Sequence, residues 1–491
     1  MTPFTLGTMR ALDSPAQMAA VLEAAVQAGI RHLETAPAYG PAEVFLGEAL
    51  QRLERRDPAL RRQLVLTSKL LPGCSLEQGQ AQLRALLARL ASPQLDNLAV
   101  HGLNTPEHLD WALRGDGRDL LAWAEAEGLV GQLGFSSHGA TPLIEQALAS
   151  GRFGFCSLHL HLFDRERLPL ARAALAGGIG VMAISPADKG GRLYDPPPEL
   201  LADCAPFHPL ELAYRFLLDQ GISTLTLGAA QPGDLAWAAA LLADPGGEGG
   251  CGRFSPEDSG PPSAPAASGL PPAAASGGGD GRGSAAAAPE AAQPAAGAAA
   301  DAVDRLAFRP AGRRGAGGPG DGLCGAAPVQ TPGTALVPAA EAARPAIPSG
   351  DSGAGDPFAG LAVAAAASRE GPWLGPEQRA ALARLEAAGR GRLAESRCGQ
   401  CRQCLPCPNE VPIPALLRLR NLAVGHGMVP FASERYSLIG RAGHWWEQLD
   451  ASACLRCGDC LPRCPLQLPI PDLLADTHRR LAAPPRRRLW G

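Results

Sequence analysis

Eight cysteines near the C-terminal end of this 491-residue chain fall into two short runs, each closing on Cys-Pro. The first run holds Cys398, Cys401, Cys404 and Cys407, and the second holds Cys454, Cys457, Cys460 and Cys464. Soft thiolates at this density suit a cubane iron–sulfur cluster, whose four iron corners each take one sulfur ligand. Two blander readings compete. Structural zinc uses a pair of C-x2-C turns, but these runs supply more thiolates than one zinc needs. Disulfides require an oxidising compartment, and nothing in the sequence points to export.

The second run has the C-x2-C-x2-C-x3-C-P spacing of bacterial two-cluster ferredoxins, and the first is one residue shorter before its last cysteine. In that arrangement the fourth cysteine cannot reach the cluster held by its own three neighbours, so it ligates the other one. Cys398, Cys401, Cys404 and Cys464 are therefore assigned to one 4Fe–4S cluster, and Cys454, Cys457, Cys460 and Cys407 to the other.

A second constellation suits proton transfer: Glu34, Tyr39, Lys69 and His101. A tyrosine hydroxyl with its ordinary pKa of about 10 transfers protons poorly at neutral pH. A neighbouring ammonium favours the phenolate and lowers that pKa, and a carboxylate beside the lysine keeps the ammonium charged. A histidine can hydrogen-bond a substrate carbonyl. Together the four would protonate an oxygen while a hydride arrives at carbon.

These residues need elements that bring them together. Eight β-rich segments run through the first 243 residues: FTLGTM, RHLETA, LVLTSK, NLAVHG, GQLGFSS, GFCSLHL, GVMAIS and STLTLGA. Between them lie amphipathic helical stretches such as AQMAAVLEAAVQAGI, AEVFLGEALQRL and LEQGQAQLRALLARL. Strands alternating with helices at this spacing predict an α/β fold of the (β/α)8 barrel type, also called a TIM barrel. No G-x-G-x-x-G follows a strand, which argues against a doubly wound sheet. Barrel enzymes carry their chemistry at the C-terminal strand ends. Glu34 follows strand 2, Tyr39 lies in the loop behind it, Lys69 follows strand 3, and His101 follows strand 4.

The segments LETAPAYGPAEVFLGEAL, LVLTSKL, LAVHGLNTPEHLDWAL, LGFSSHG, ISPADKGGRLY and STLTLGAAQPGDL resemble the corresponding segments of the aldo/keto reductases. The likeness is to the subgroup with a C-terminal ferredoxin-type domain. It implies a barrel that binds NADP(H), with NAD(H) as the alternative, and a catalytic tetrad of Asp, Tyr, Lys and His. Tyr39, Lys69 and His101 match that tetrad, with Tyr39 as general acid, while Glu34 stands where the family has Asp. The resemblance also implies cofactor contacts from Ser136 and Ser137 after strand 5, and from Ser185, Asp188, Lys189 and Gly190 after strand 7. After strand 8 it implies phosphate contacts from the amides of Gly228, Ala229 and Ala230. The Lys-Ser pair that many members use on the 2′-phosphate is absent. No flavin motif is evident, so a flavin remains unassigned.

The remaining organisation follows from composition. Residues 1–243 read as the barrel. Residues 244–371 are dominated by Ala, Gly, Pro and Ser and lack the large apolar side chains that offset ordering entropy, so they are expected to be a disordered insertion. As a flexible coil its ends would lie on the order of 60 Å apart when unconstrained. Residues 372–480 read as a mostly helical, ferredoxin-like domain around two clusters, where Trp445 and Trp446 could shield a cluster. Residues 481–491 form a basic tail. The formal net charge of −4 gives no reason to expect nucleic acid or an anionic membrane as partner. The N-terminus does not read as a signal peptide, and no apolar run is long enough to span a bilayer. A reducing cytoplasm is the expected location. His138, His159 and His161 read as loop or barrel-lining residues, and Cys74, Cys156, Cys204, Cys251 and Cys324 as small buried or incidental residues.

Two functions fit. One is an NAD(P)H-dependent carbonyl oxidoreductase acting on a small carbonyl substrate, with two 4Fe–4S clusters that exchange electrons with a redox partner protein, sense redox state or hold the domain together. The other is a non-catalytic electron-transfer or redox-responsive protein on a reductase scaffold. Hydride transfer moves two electrons together, whereas a cubane cluster normally takes one, so the clusters have no automatic role in the first.

Overall fold

Short β-branched and aliphatic runs pair side by side in chain order until the last meets the first. The structure is a computed structural model that describes residues 2–187, 192–244, 373–441 and 447–482. The strands are β1 (Phe4–Gly7), β2 (His32–Glu34), β3 (Val65–Leu70), β4 (Leu95–Val100), β5 (Val130–Ser137), β6 (Phe155–His159), β7 (Gly180–Ile184) and β8 (Thr224–Gly228). All neighbours are parallel, and β1 closes the barrel on β8 in a register running from Phe4 opposite Leu225 to Gly7 opposite Gly228. The expected eight-stranded parallel barrel is therefore present. Intervening helices include α1 (Pro15–Gln27), α2 (Ala42–Arg56), α3 (Pro58–Arg61) and α4 (Leu76–Arg89). Ser14 caps α1 by accepting from the Gln17 amide, and Ser75 and Gln78 form a capping box on α4. Further along come α5 (Pro106–Leu113), α6 (Asp116–Ala126), α7 (Thr141–Ala149), α8 (Leu168–Ala176), α9 (Pro198–Cys204), α10 (Pro209–Asp219) and α11 (Ala236–Ala243). Their apolar faces and the outward faces of the strands make the main core.

The barrel interior is filled in two different ways. On one side Ala99, Phe155 and Met182 form an apolar plug. A Cβ on Gly134 would sit 2.5 Å from the Phe155 ring, so the plug needs glycine there. On the other side a belt of hydrogen bonds crosses five adjacent strands. Asn97 donates to the Thr67 hydroxyl at 3.0 Å, and Thr67 lies 2.6 Å from His32 Nε2. His32 Nδ1 lies 2.7 Å from the Thr5 hydroxyl, which lies 2.7 Å from that of Thr224. A neutral imidazole, donor on one nitrogen and acceptor on the other, completes this belt.

The C-terminal segment is helical, with α12 (Pro376–Leu393), α13 (Ile413–His426), α14 (Val429–Ser437) and α15 (Ile470–Leu481). It packs with the barrel as part of one compact unit. Arg215 in α10 is fully buried and ion-paired with Glu211 at 2.8 Å. Its guanidinium donates to the carbonyls of Asp244 at 3.4 Å and Trp373 at 3.2 Å. One side chain thus holds both ends of the chain flanking residues 245–372. Those residues, Trp445 and Trp446, Cys251 and Cys324, and residues 483–491 of the tail lie outside the described residues. Among the described residues no helix is long and apolar enough to cross a membrane.

Burial lowers the His32 imidazole from 6.5 to about 4. The unfolded chain therefore binds a proton that the folded barrel refuses. The stability this provides is complete above 6.5 and is lost as pH falls toward 4, by on the order of 3 kcal/mol. Denaturant titrations at pH 7 and 4.5 should show a smaller loss for His32→Gln than for the wild-type protein.

Candidate active site and cysteine centre

The rim at the C-terminal strand ends gathers the four residues expected there. Glu34 ends β2 and Lys69 sits near the end of β3; both are buried. Tyr39 follows in a turn closed by bonds from the Tyr39 amide to Ala36 at 3.0 Å and from the Ala42 amide to Tyr39 at 3.2 Å. Gly40 takes the left-handed conformation (φ 56°) that this turn requires. His101 is fixed just beyond β4 by its amide, 2.7 Å from the Leu70 carbonyl. Lys69 Nζ donates to the Tyr39 hydroxyl at 2.8 Å and to the Thr35 carbonyl at 3.3 Å. Lys69 also contacts the Glu34 carboxylate directly. The Tyr39 hydroxyl donates to Glu34 Oε1 at 3.3 Å, and the Tyr39 and His101 rings meet edge-on at 5.9 Å.

Burial dominates the protonation of this group. It pushes the Tyr39 phenol up to about 12, against the lowering that the adjacent ammonium was expected to give. It pulls Lys69 down to about 7, while the contacting Glu34 carboxylate acts the other way. His101 falls to about 3, through burial first and then the charges of Lys69 and His138. At neutral pH the rim therefore holds a protonated phenol, a lysine poised near its own titration, and a neutral imidazole. Such a phenol is a proton source. The longer side chain of Glu34 reaches both Lys69 and Tyr39, so a carboxylate accepts the phenol's hydrogen bond.

The expected cofactor positions are placed unevenly. Ser136 accepts from the Gly102 amide at 3.0 Å. The Ser137 hydroxyl, fully buried, donates to the Leu103 carbonyl at 2.6 Å and accepts from the Gly139 amide at 3.0 Å. Both serines therefore stitch the rim together. Ser185 has left-handed backbone (φ 56°) just beyond β7. Asp188, Lys189 and Gly190 lie outside the described residues. Gly228 is exposed on the rim and Ala229 is buried. The amides of Ala230 and Gln231 donate to the Asp234 carboxylate at 2.8 and 3.2 Å. An acidic side chain thus occupies part of the place expected for a phosphate. Sequence reasoning missed Arg10: closure of β1 on β8 lays its side chain against Gly228, 3.1 Å from where a Cβ would stand. His138, His159 and His161 form a chain of edge-on rings, with separations of 5.6 and 6.1 Å. Burial pushes the Cys156 and Cys204 thiols up to about 12, as suits small core residues.

Residues 3–195 match the model of the aldo/keto reductase family. That match takes in the barrel as far as β7 and the residues just beyond it, and the two cysteine runs lie outside the matched residues. Over 219 residues the chain is 29% identical to a 6-dehydroglucose reductase of Novosphingobium aromaticivorans, covering 40% of this chain and 68% of that protein. Among solved structures, an aldo-keto reductase from Bacillus halodurans in its holo form is 19% identical, with a TM-score of 0.41 over 48% of this chain and 86% of that one. One from Bombyx mori, in complex with NADP, is 21% identical, with a TM-score of 0.41 over 49% and 84%.

The two cysteine runs share a backbone pattern on either side of the stretch where their lengths differ. A short 3-10 turn precedes each, at Ala394–Ser396 and Ala451–Ala453. The residues two and four after the first cysteine are left-handed in both: Gln400 and Arg402 at φ 58° and 63°, Arg456 and Gly458 at φ 56° and 85°. Three residues after the last cysteine, Glu410 and Gln467 are left-handed again, at φ 54° and 51°. Then α13 and α15 begin, each six residues past its cysteine. The sequence carries this repeat as CPNEVPIPALL and CPLQLPIPDLL, a signal present in the chain that the cysteine spacing alone did not use. Cys407 lines one cavity with Cys454, Cys457 and Cys460, walled by Ile413, Pro471 and Leu474. Burial pushes the Cys398 thiol up, and Cys401 and Cys464 are close enough to add to that effect. Among the described residues no group of three or more His, Cys, Asp or Glu is placed to hold a metal ion.

The Lys69–Glu34 pair makes a prediction about stability. Lys69→Met leaves a buried carboxylate unpaired and should cost about 3–5 kcal/mol in denaturant unfolding. Combined with Glu34→Gln, the loss should shrink; equal losses in the single and double variants would mean that the pair is not coupled.

Proposed function

We propose that this chain is an NADP(H)-dependent carbonyl oxidoreductase that also carries two 4Fe–4S clusters. The observation that carries the reading is the convergence of Tyr39, Lys69, Glu34 and His101 on one barrel rim. Donor chemistry supports the nucleotide: Arg10 beside Gly228 offers a guanidinium to a phosphate, and the rim lies open there. When bound, a reduced nicotinamide would supply the hydride that adds to the carbonyl carbon. Tyr39 gives its proton to the carbonyl oxygen, so that C=O becomes CH–OH. Lys69, 2.8 Å away, stabilises the phenolate left behind. His101, neutral, orients the substrate oxygen by a hydrogen bond.

We read the two cysteine runs as ligands of clusters with exchanged fourth ligands. Cys407 shares a cavity with the first three cysteines of the other run, which supports an exchanged fourth ligand. Cys398, Cys401, Cys404 and Cys464 would hold one cluster, and Cys454, Cys457, Cys460 and Cys407 the other. Such groups supply one-electron transfer, here to a redox partner protein in a reducing cytoplasm. A second reading, electron transfer or redox response without catalysis, draws on Asp234 at the phosphate position and on Glu34 as rival acceptor for the Tyr39 proton.

Protein purified without oxygen should contain about eight irons per chain and oxidise NADPH with a reactive aldehyde. Tyr39→Phe should abolish that oxidation. Because the Lys69 ammonium is required and titrates near 7, the rate should fall as pH rises through that value. Equal rates for wild type and Tyr39→Phe, or no binding of NADPH or NADH, would leave the non-catalytic reading. Glu34→Asp draws the carboxylate back from the phenol while keeping a partner for Lys69. It should raise kcat several-fold in the same assay.

A further inference from the structure

Four charged residues in succession, Asp164, Arg165, Glu166 and Arg167, lie in the loop from β6 to α8. Three of them face the C-terminal segment. Asp164 stands 3.6 Å from Arg418, Arg165 pairs with Glu386 at 2.6 Å, and Glu166 pairs with Arg402. Arg402 lies between Cys401 and Cys404, inside the first cysteine run. The fourth residue turns the other way. Arg167 donates to the carbonyls of Ser137 at 3.2 Å, His138 at 3.2 Å and Gly139 at 2.9 Å. Through Ser136 and Ser137 the same loop is bonded to Gly102 and Leu103, the residues next to His101.

We propose that Arg167 is a positioning residue for the catalytic rim and that its grip depends on Arg402, so the first cysteine run sets the order of the rim. This rests on reading that rim as the nucleotide and carbonyl site. The reason is a competition between partners. A carboxylate binds a guanidinium more strongly than a neutral carbonyl does. Glu166 adjoins Arg167 in the chain and, with Asp164 and Arg402, is among the charges that act on it. While Arg402 holds Glu166, the Arg167 guanidinium stays on the three carbonyls. With Arg402 displaced, Glu166 draws that guanidinium to itself and the loop at residues 137–139 loses its clamp. Asp164 acts on Arg167 as well, but its pairing with Arg418 on α13 at 3.6 Å does not involve Arg402, so displacing Arg402 leaves that contribution in place. Ordering of the first run, which loading of its cysteines provides, is thereby felt at His101.

The experiment is amide hydrogen exchange on the full-length, iron-loaded protein, read at residues 101–104 and 136–139, with NADPH titration beside it. Arg402→Gln should speed exchange there by about tenfold and weaken NADPH binding in parallel. Adding Glu166→Gln to that variant removes the competitor and should restore slow exchange, and Arg402→Lys should stay close to wild type. Where Arg402→Gln loses iron, chelation replaces it: the stripped wild type should loosen at 136–139 and stripped Glu166→Gln should not. Unchanged exchange in Arg402→Gln, or no restoration by Glu166→Gln, overturns the proposal. Failure of every variant to bind NADPH, with exchange following the expected order, sinks the nucleotide reading and leaves the coupling in place.

Discussion

A closed parallel barrel has no edge strand, and closure here rests on the four-residue register between β1 and β8. That register brings all strand ends of one polarity to a single rim. It also brings Arg10, which follows β1, against Gly228 at the end of β8. Closure further forces the inward side chains to fill a space of fixed width. The chain meets that demand with an apolar plug on one side and a threonine–histidine–asparagine belt on the other. Because the belt needs neutral imidazole, the fold has an acid-sensitive element one layer below Glu34 and Lys69, on the same two strands.

The rim inherits its electrostatics from this enclosure. A tyrosine beside an ammonium is usually expected to ionise more readily, yet burial outweighs that attraction and the phenol keeps its proton. The same burial brings Lys69 near neutrality and removes charge from His101. Glu34 then acts in two directions. It pairs with the buried ammonium, and its reach gives the Tyr39 hydroxyl a hydrogen-bond acceptor. One methylene at this position thereby bears on both the buried ion pair and the hydrogen bonding of the phenol.

The cysteine segment is joined to the barrel chiefly through side chains of the loop after β6 and of α9 and α10. Arg392 pairs with Asp203 at 2.6 Å, Arg379 with Asp219 at 3.3 Å, and the Phe163 and His426 rings stand 4.7 Å apart. Partly exposed ion pairs of this kind contribute little each to stability, but they fix orientation. Arg215 complements them by holding the two chain ends at residues 244 and 373. The length of the intervening segment therefore puts no demand on where the helical part docks.

By itself the sequence determined the elements and the places of the two cysteine runs. Strand periodicity, helix amphipathicity and the Cys-Pro spacings are local properties, so eight strands, their order and the residues at their C-terminal ends could be read directly. The repeat CPNEVPIPALL and CPLQLPIPDLL was equally local. What only the tertiary structure decided depends on enclosure and on approach between distant segments. Burial reversed the direction of the Tyr39 shift, and solvent exclusion is not written in any short window of sequence. Asp234 took the amides of Ala230 and Gln231, and Arg402 met Glu166 across 236 residues, because folding brought those groups within hydrogen-bond reach. Residue type and spacing specify which groups are available; the folded chain's geometry and dielectric specify which charge each one carries and which partner it keeps.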